Sequence, residues 1–220
     1  MSETVLYVGN KRFSSWSLRG WLACRLAGLA FREVVIALDQ PATTPEILKI
    51  SPTARLPCLH HDGRAVWDSL AIAEYCAELR PGLWPADAAA RAHARSIAAE
   101  MHSGFAELRK AMWMDVSRRW PGRARTPGAL ADIQRIVALW ADTRGRFGAG
   151  GPFLFGREFN LADAFYAPVA TRFVTWTPEL PAEAKAYVDA VWAHPLLVEW
   201  VKGADAETFT APRYETPSAA

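Results

Sequence analysis

The sequence predicts an α/β unit followed by an all-helical unit, and three observations lead to this prediction. Short runs of β-branched and aromatic residues alternate with helical spacing early in the chain, Pro81-Gly82-Leu83-Trp84-Pro85 breaks the pattern, and no convincing strand follows. We therefore predict an α/β domain over residues 1–81, a linker over 82–86 and an all-α domain over 87–220. With 220 residues and 51% apolar content, the chain can bury a large core.

The first domain reads as β-α-β-α-β-β-α. We predict strands over 4–8, 31–38, 56–59 and 64–67, and helices over 17–26, 44–50 and 70–79. Asp62-Gly63 is a two-residue hairpin signal between the last two strands. The initial strand-helix-strand should form a right-handed parallel unit, with the hairpin antiparallel. This order of elements resembles the thioredoxin fold.

Beyond the linker, segments rich in alanine and leucine have helical spacing. We predict helices over 88–116, 128–147, 160–174, 182–192 and 195–201. Asn160 and Asp163 form a capping arrangement at the start of the third of these helices. We expect the last dozen residues to be frayed.

Composition excludes several classes of function. A net charge of +2 without a basic cluster argues against nucleic acid as a partner. No apolar run approaches the ~18 residues of a membrane span, and the five histidines have no HxxxH or His-Cys spacing, so we expect neither a membrane partner nor a metal. Cys24, Cys58 and Cys76 match no disulfide framework, which favours a reduced, cytoplasmic location.

The most informative stretch covers residues 51–69. Leu56-Pro57 stands at the start of a short strand, and a cis bond there would leave the N–H and C=O of Leu56 free to pair with an extended peptide. Asp68-Ser69 stands at a helix start, where free N–H groups attract a carboxylate. The pattern predicts a strand edge beside an anion site, built mostly of backbone.

These residues resemble the glutathione-site signature of soluble glutathione S-transferases, roughly NPxGKVPxL followed by ESxAI. The chain has SPTARLPCL at 51–59 and DSLAI at 68–72, with Ala54 in place of the usual glycine. The resemblance implies that the backbone of Leu56, before a cis Pro57, pairs with the cysteinyl part of glutathione. It also implies that Asp68 and Ser69 hold the γ-glutamyl end.

Two more residues have positions that the resemblance connects with the glycyl carboxylate of glutathione, namely Arg55 and Gln40. A solvated surface arginine and a loop amide are the respective alternatives. The family also implies a helical second domain, which agrees with the pattern beyond the linker, and a homodimer. The phrase FNLAD at 159–163 resembles a structural capping motif of the same family.

A serine-rich loop joins the first strand to the first helix, where a thioredoxin-like redox enzyme would carry Cys-x-x-Cys. A hydroxyl at a helix N-terminus can donate to sulfur and favour the thiolate. The stretch SSWSLR resembles SSCSWR of the zeta class, with Trp16 in place of its cysteine. This implies that Ser14, with Ser15 next in line, activates the thiol of glutathione. The alternative is that both serines are only turn and N-cap residues.

A stripe of apolar and aromatic residues lies on the first predicted helix of the second domain. It comprises Met101, Phe105, Met112 and Trp113, with Arg109 on or near the same face. We predict that these residues form the second-substrate pocket and that Arg109 orients an anionic group. An ordinary helix core is the alternative.

Together these features predict a glutathione S-transferase that uses glutathione as co-substrate, needs no metal and acts on a small, apolar or anionic electrophile. One alternative is a glutathione-dependent cis–trans isomerase or dehalogenase of the zeta type. Another is a non-catalytic protein of the same fold that binds apolar ligands or another protein.

Overall fold

The computed structural model describes residues 3–214. The first domain contains β1 (Val5–Gly9), α1 (Ser15–Leu26), β2 (Arg32–Ile36), α2 (Thr43–Leu48), β3 (Cys58–His61), β4 (Arg64–Trp67) and α3 (Ser69–Leu79). The sheet order is β2-β1-β3-β4, with β1 parallel to β2 and both other pairs antiparallel. The predicted thioredoxin-like order of elements is confirmed.

The strand bounds differ from the prediction where proline intervenes. β3 begins at Cys58, two residues later than predicted, because Pro57 has no N–H to contribute to the ladder. The register pairs Leu6 with Leu59, and both side chains are fully buried. The sheet therefore buries apolar residues from its central strands, while Leu56 and Pro57 lie just outside it.

The second domain is helical, as predicted. It contains α4 (Ala88–Ser103), α5 (Ala106–Ala111), α6 (Pro127–Phe147), α7 (Leu161–Trp176), α8 (Ala182–Trp192) and α9 (Pro195–Asp205). α3 ends at Leu79 and α4 begins at Ala88. This interval contains the linker that we propose over 82–86.

The prediction of one helix over 88–116 is wrong, because two helices occupy part of that range and no helix extends over 112–116. Gly104 ends α4 with its N–H donating to the Glu100 carbonyl at 2.8 Å. Phe105 then takes a left-handed conformation with φ of 59°. A glycine favours termination and a left-handed residue cannot continue a right-handed helix, so α5 starts in a new direction.

The prediction of a frayed end is wrong for the part that the structure describes. Ala211 is fully buried, and Pro212–Tyr214 form a 3-10 turn. The Tyr214 ring stacks on Phe13 with 4.9 Å between centroids. Residues 215–220 lie outside the described part of the chain.

α7 is the central helix of the second domain and is buried along nearly its whole length. Its capping box forms as predicted: the Asn160 side chain accepts from the N–H of Ala162, and Asp163 accepts from the N–H of Asn160. Asp163 also accepts from Leu154 N–H and from the Tyr187 hydroxyl, both at 3.0 Å. Burial raises the pKa of Asp163 to about 6. α7 also packs against α1, which joins the two domains beside the serine loop.

Candidate functional site

Two neighbouring cavities open between the domains, and Ser14, Trp16 and Leu38 line both. The larger cavity has a volume of about 980 Å³, and its walls include Ser14, Trp16, Arg55, Leu56, Pro57, Asp68, Ser69 and His102. The smaller cavity has a volume of about 500 Å³, and its walls include Phe13, Ser14, Ser15, Trp16, Arg109, Lys110, Trp113, Arg172, Arg213 and Tyr214.

A free backbone edge forms one wall of the larger cavity. The Leu56–Pro57 peptide bond is cis. Within residues 3–214, no residue hydrogen-bonds the N–H or C=O of Leu56. Gly20 of α1 permits this arrangement, because a Cβ at that position would lie 2.7 Å from the Pro57 ring. The edge can therefore pair with an extended peptide, as the sequence predicts.

A carboxylate and a buried hydroxyl form the adjacent wall. Asp68 is the N-cap of α3, with φ of 50° and its Oδ1 accepting from Leu70 N–H at 2.7 Å. The Ser69 hydroxyl is buried and has no hydrogen-bond partner among the described residues. A buried hydroxyl without a partner costs free energy, so this atom is suited to a polar ligand group at the helix N-terminus.

His102 reaches this wall from α4, and the sequence reasoning did not identify it. Its Nε2 lies 3.5 Å from Asp68 Oδ2. Burial lowers the pKa of His102, with further lowering by Arg19 and Arg109 and an opposing effect of Asp68. The imidazole is therefore neutral near pH 7.

Ser14 is the N-cap of α1 and stands where the two cavities meet. Its hydroxyl donates to Ser17 Oγ at 2.8 Å and accepts from Ser17 N–H at 3.4 Å. Ser17 Oγ in turn accepts from Gly9 N–H at 2.9 Å. Two polar groups of Ser17 thus hold the Ser14 hydroxyl, Gly9 holds Ser17 in turn, and Ser14 lines both cavities.

The smaller cavity is cationic. Arg109, Lys110, Arg172 and Arg213 line it, and its described lining contains no carboxylate. Aromatic rings of Phe13, Trp16, Trp113 and Tyr214 form much of the remaining wall. This combination suits a flat or apolar molecule that carries negative charge.

Arg172 is the most constrained of these cations. Its Nε donates to the Met112 carbonyl at 2.7 Å, Nη1 to the Pro168 carbonyl at 2.9 Å and Nη2 to Ser15 Oγ at 3.3 Å. Burial lowers the pKa of Arg172 to about 9, with a further contribution from Arg109. The guanidinium therefore remains protonated near pH 7. Its hydrogen-bond partners within residues 3–214 are all neutral oxygens.

Trp16 forms the partition between the cavities. Two guanidinium groups contact its ring, with Arg19 at 4.7 Å and Arg109 at 4.8 Å from the ring centroid. The His102 ring meets it edge-on at 5.0 Å. Arg19 is fully buried, and its Nε donates to the Phe165 carbonyl at 3.2 Å. Two cation–π contacts thus stabilise the position of the indole.

Some of the remaining predicted site residues line a cavity and others do not. Arg55 lines the larger cavity, and Arg109 and Trp113 line the smaller one. The Gln40 side chain lines neither cavity and instead donates to the carbonyls of Leu38 and Thr210 at 3.4 and 3.0 Å.

Three members of the predicted stripe lie in the core and line neither cavity, namely Met101, Phe105 and Met112. Met101 lies on α4 before the break at Gly104, whereas Phe105 and Met112 follow it, so the predicted stripe does not lie on one continuous helix. Arg109 and Trp113 also follow the break, and both line the smaller cavity.

Residues 3–214 contain no group of three or more His, Cys, Asp or Glu side chains placed to hold a metal ion. Over the same residues, every helix is too short or too polar to cross a bilayer.

Comparison with family models gives matches over most of the chain. The model described as glutathione S-transferase, N-terminal domain, matches residues 13–79. The model described as glutathione S-transferase, C-terminal domain, matches residues 88–203.

Two curated relatives share the name maleylacetoacetate isomerase. Maleylacetoacetate isomerase of Rhizobium meliloti strain 1021 is 38% identical over 202 residues, covering 82% of this chain and 86% of that protein. Maleylacetoacetate isomerase of Rattus norvegicus is 30% identical over 176 residues, covering 76% of each.

Solved structures give the same fold. A glutathione transferase homologue from Burkholderia gl BGR1, with bound glutathione, is 25% identical and superposes with a TM-score of 0.72. The match covers 94% of this chain and 100% of that one. A Tau class glutathione S-transferase from mango, Mangifera indica, is 20% identical with a TM-score of 0.70, covering 92% of this chain and 96% of that one.

Proposed function

The chain belongs to the glutathione S-transferase family, and we propose that it binds glutathione in the larger cavity and joins its sulfur to a small anionic electrophile held in the smaller cavity. The observation that carries this proposal is the position of Ser14. This residue lines both cavities and is the N-cap of α1. A sulfur beside it would face the second substrate.

Glutathione would be held chiefly by backbone and by the start of α3. The free edge of Leu56 would pair with the cysteinyl unit, as in an added β-strand. The Asp68 carboxylate would attract the γ-glutamyl ammonium, and Ser69 would donate to the neighbouring carboxylate. Arg55 is the proposed partner of the glycyl carboxylate.

Ser14 would lower the pKa of the bound thiol. Shifting a thiol from about 8.5 by about two units requires roughly 2.7 kcal/mol. A hydrogen bond to a charged group contributes about 1.5–3 kcal/mol, and a helix N-terminus adds about 0.3–1 kcal/mol. When the Ser14 hydroxyl turns toward sulfur, Ser17 can donate to Ser14 while still accepting from Gly9 N–H.

Ser14 is preferred over Ser15 for this role. Ser15 lines only the smaller cavity, and its Oγ is held by the Arg172 guanidinium. Ser15 is therefore better suited to the second substrate than to the thiol. In the reaction, the thiol proton leaves to solvent, the thiolate forms a bond to carbon, and a leaving group departs with the displaced electron pair.

The experiment compares Ser14→Ala with Ser96→Ala, an exposed serine of α4 whose hydroxyl donates to the Ala92 carbonyl. The thiolate absorbance of bound glutathione is titrated against pH, and turnover is measured with a chloronitrobenzoate. We expect Ser14→Ala to raise the pKa of the bound thiol and lower kcat by about a hundredfold, with nearly unchanged glutathione affinity. Equal titration curves and turnover for both variants would rule out the assigned role.

A second candidate function is glutathione-dependent cis–trans isomerisation, and the names of the curated relatives favour it. Here the thiolate would add to a double bond of an anionic substrate, rotation would follow, and elimination would return glutathione. Trp16 stands where the zeta pattern has cysteine, which weighs against a simple transfer of that activity. Turnover of maleylacetoacetate without glutathione consumption would identify this reaction, whereas conjugation consumes one glutathione per product.

A non-catalytic protein that binds apolar ligands or another protein is the remaining candidate, and an absence of turnover with every electrophile tested would favour it. We also propose a homodimer, as the family resemblance implies, which sedimentation of the purified protein would test. Both proposals are independent of the position of Ser14.

A further inference from the structure

The loop over residues 10–13 leads directly into Ser14. Its own turn is closed by the Asn10 carbonyl, which accepts from Phe13 N–H at 3.1 Å and from Ser14 N–H at 2.8 Å. The backbone of Lys11 and Arg12 in the middle of this turn is held by elements that lie far along the chain. Elements distant in sequence therefore contact the loop that immediately precedes Ser14.

The most direct contact comes from Glu207, which follows α9. One carboxylate oxygen accepts from Lys11 N–H at 2.6 Å, and the other accepts from Arg12 N–H at 3.3 Å. The two donors are consecutive, and they lie 196 and 195 residues before Glu207. Burial raises the pKa of Glu207, and the two N–H groups partly offset this effect.

The same loop is held from a second direction by α9. Trp200 Nε1 donates to the Lys11 carbonyl at 2.9 Å. The Lys11 ammonium lies 2.7 Å from Glu33 and over the Trp200 ring. Gly203 makes room for this side chain, because a Cβ there would lie 2.8 Å from Lys11 Nζ.

A third contact comes from the irregular segment after α5. Arg12 forms a two-pronged ion pair with Asp115, at 2.9 and 3.1 Å. Val116 N–H donates to the Arg12 carbonyl at 3.3 Å. Glu207 is the contact that accepts from two loop N–H groups at once, and its removal leaves the other contacts in place.

We propose that Glu207 is a positioning residue that fixes the 10–13 loop and thereby the Ser14 hydroxyl. The inference rests on the proposed role of Ser14 in ionising the thiol. A carboxylate suits this task because both of its oxygens accept hydrogen bonds. Glutamine has one acceptor and one donor, so its NH₂ group would face one of the two backbone N–H donors.

The C-terminal segment links this positioning to the smaller cavity. Seven residues after Glu207, Tyr214 stacks on Phe13 and lines the cavity together with Ser14. Gln40 holds the connecting stretch by its bond to the Thr210 carbonyl. The segment that follows Glu207 therefore contacts the residue immediately before Ser14.

The experiment is a double-mutant cycle with Glu207→Gln, Ser14→Ala and the combination of both. Each variant is measured for kcat, for KM of glutathione and for the thiol pKa of bound glutathione. Glu179→Gln is the matched control, because Glu179 is 94% exposed and contacts only Arg125 among the described residues. Thermal unfolding of every variant monitors the fold.

We expect Glu207→Gln to lower kcat by roughly tenfold to a hundredfold, as misplaced groups do, and to raise the pKa of the bound thiol at unchanged KM. In the Ser14→Ala background the same substitution should have no further effect, because coupled residues are not additive. Glu207→Asp, which keeps the charge but is shorter, should fall between wild type and Glu207→Gln.

Two results would overturn the positioning role of Glu207 and leave the proposed role of Ser14 intact. These are a full additional loss from Glu207→Gln in the Ser14→Ala background, and an unchanged thiol pKa in Glu207→Gln when Ser14→Ala raises it. If Ser14→Ala itself leaves the thiol pKa and kcat unchanged, the proposed function fails first and the inference fails with it. The control Glu179→Gln should match wild type in every measurement.

Discussion

The two cavities differ in how their walls are made. The larger one takes about half of its lining from residues 53–69, including Leu56 and the Asp68-Ser69 pair, and the rest from the serine loop, from residues 38–47 and from the end of α4. The smaller one collects side chains from the serine loop, the segment around α5, α7 and the C-terminal turn, including Arg172 and Tyr214. Substitutions in segments distant from residues 53–69 can change the wall of the smaller cavity and leave that part of the larger cavity unaltered.

The largest expected effect on this comparison comes from Arg172→Met. The substitution removes a buried cation from the smaller cavity, so kcat/KM for 4-chloro-3-nitrobenzoate should fall by about a hundredfold, the upper range for a hydrogen bond to a charged group. The neutral 4-chloro-3-nitrobenzamide should lose much less, and KM for glutathione should stay the same. Steady-state kinetics with the two electrophiles checks this.

Arg172→Lys is the matched variant, since it keeps the charge but loses the planar fork. It should retain part of the preference for the benzoate. Equal losses for benzoate and benzamide would mean that Arg172 supports only the fold.

Gly20→Ala tests the wall that the larger cavity shares with α1. The added Cβ would lie 2.7 Å from the Pro57 ring, and such overpacking costs about 1–3 kcal/mol. We expect a lower free energy of unfolding and a raised KM for glutathione, because Pro57 adjoins Leu56. Gly145→Ala in α6 has open space around its Cβ and should instead stabilise the protein by about 0.4–1 kcal/mol. Denaturant unfolding of both variants measures whether the free energy of unfolding falls or rises.

Asp68→Asn tests the charge of the larger cavity. Asparagine also caps helices well, so α3 should persist while the attraction for the ligand ammonium is lost. KM for glutathione should rise about tenfold, the effect of a difference of about 1.4 kcal/mol, with kcat nearly retained at saturation. Asp142→Asn, at an exposed pair with Arg146, is the control. An unchanged KM for Asp68→Asn would remove Asp68 from the glutathione site.

The smallest expected effect tests whether the charged groups of the smaller cavity change the pKa of a residue in the larger one. The pKa of His102 is lowered by burial and by Arg19 and Arg109, so the unfolded chain binds this proton more readily than the folded one. Stability should therefore fall as the pH falls below about 6.5. His102→Asn should flatten this fall by less than about 1.4 kcal/mol per pH unit.

Arg109→Met sharpens the same test, because removing this cation should raise the pKa of His102. Proton NMR titration of the imidazole measures the pKa directly. An unmoved titration would show that Trp16 and the intervening atoms screen the two cavities from each other.

The larger cavity could be predicted from the sequence because its information is local. Leu56-Pro57 and Asp68-Ser69 combine proline, hairpin and helix-cap signals within one short stretch, and each signal acts on its immediate neighbours. The same reasoning located the strands, most helices and the Asn160–Asp163 cap.

The smaller cavity could not be predicted in this way. Arg172 lies on a helix that is buried on all sides, so no polar face distinguishes it, and it meets Ser15 across 157 residues of chain. Tyr214 lies in a segment with the composition of a frayed end. The break at Gly104 and Phe105 was missed because a single glycine in a helical pattern is often tolerated.

The contact between Glu207 and the serine loop also has a consequence for biosynthesis. Ribosomes make the loop early, but its carboxylate partner is added 196 residues after Lys11. An unfinished or clipped polypeptide that lacks this partner would carry the serine after a loop whose Lys11 and Arg12 N–H groups have lost their shared acceptor. Full activity would then require a chain that extends at least to Glu207.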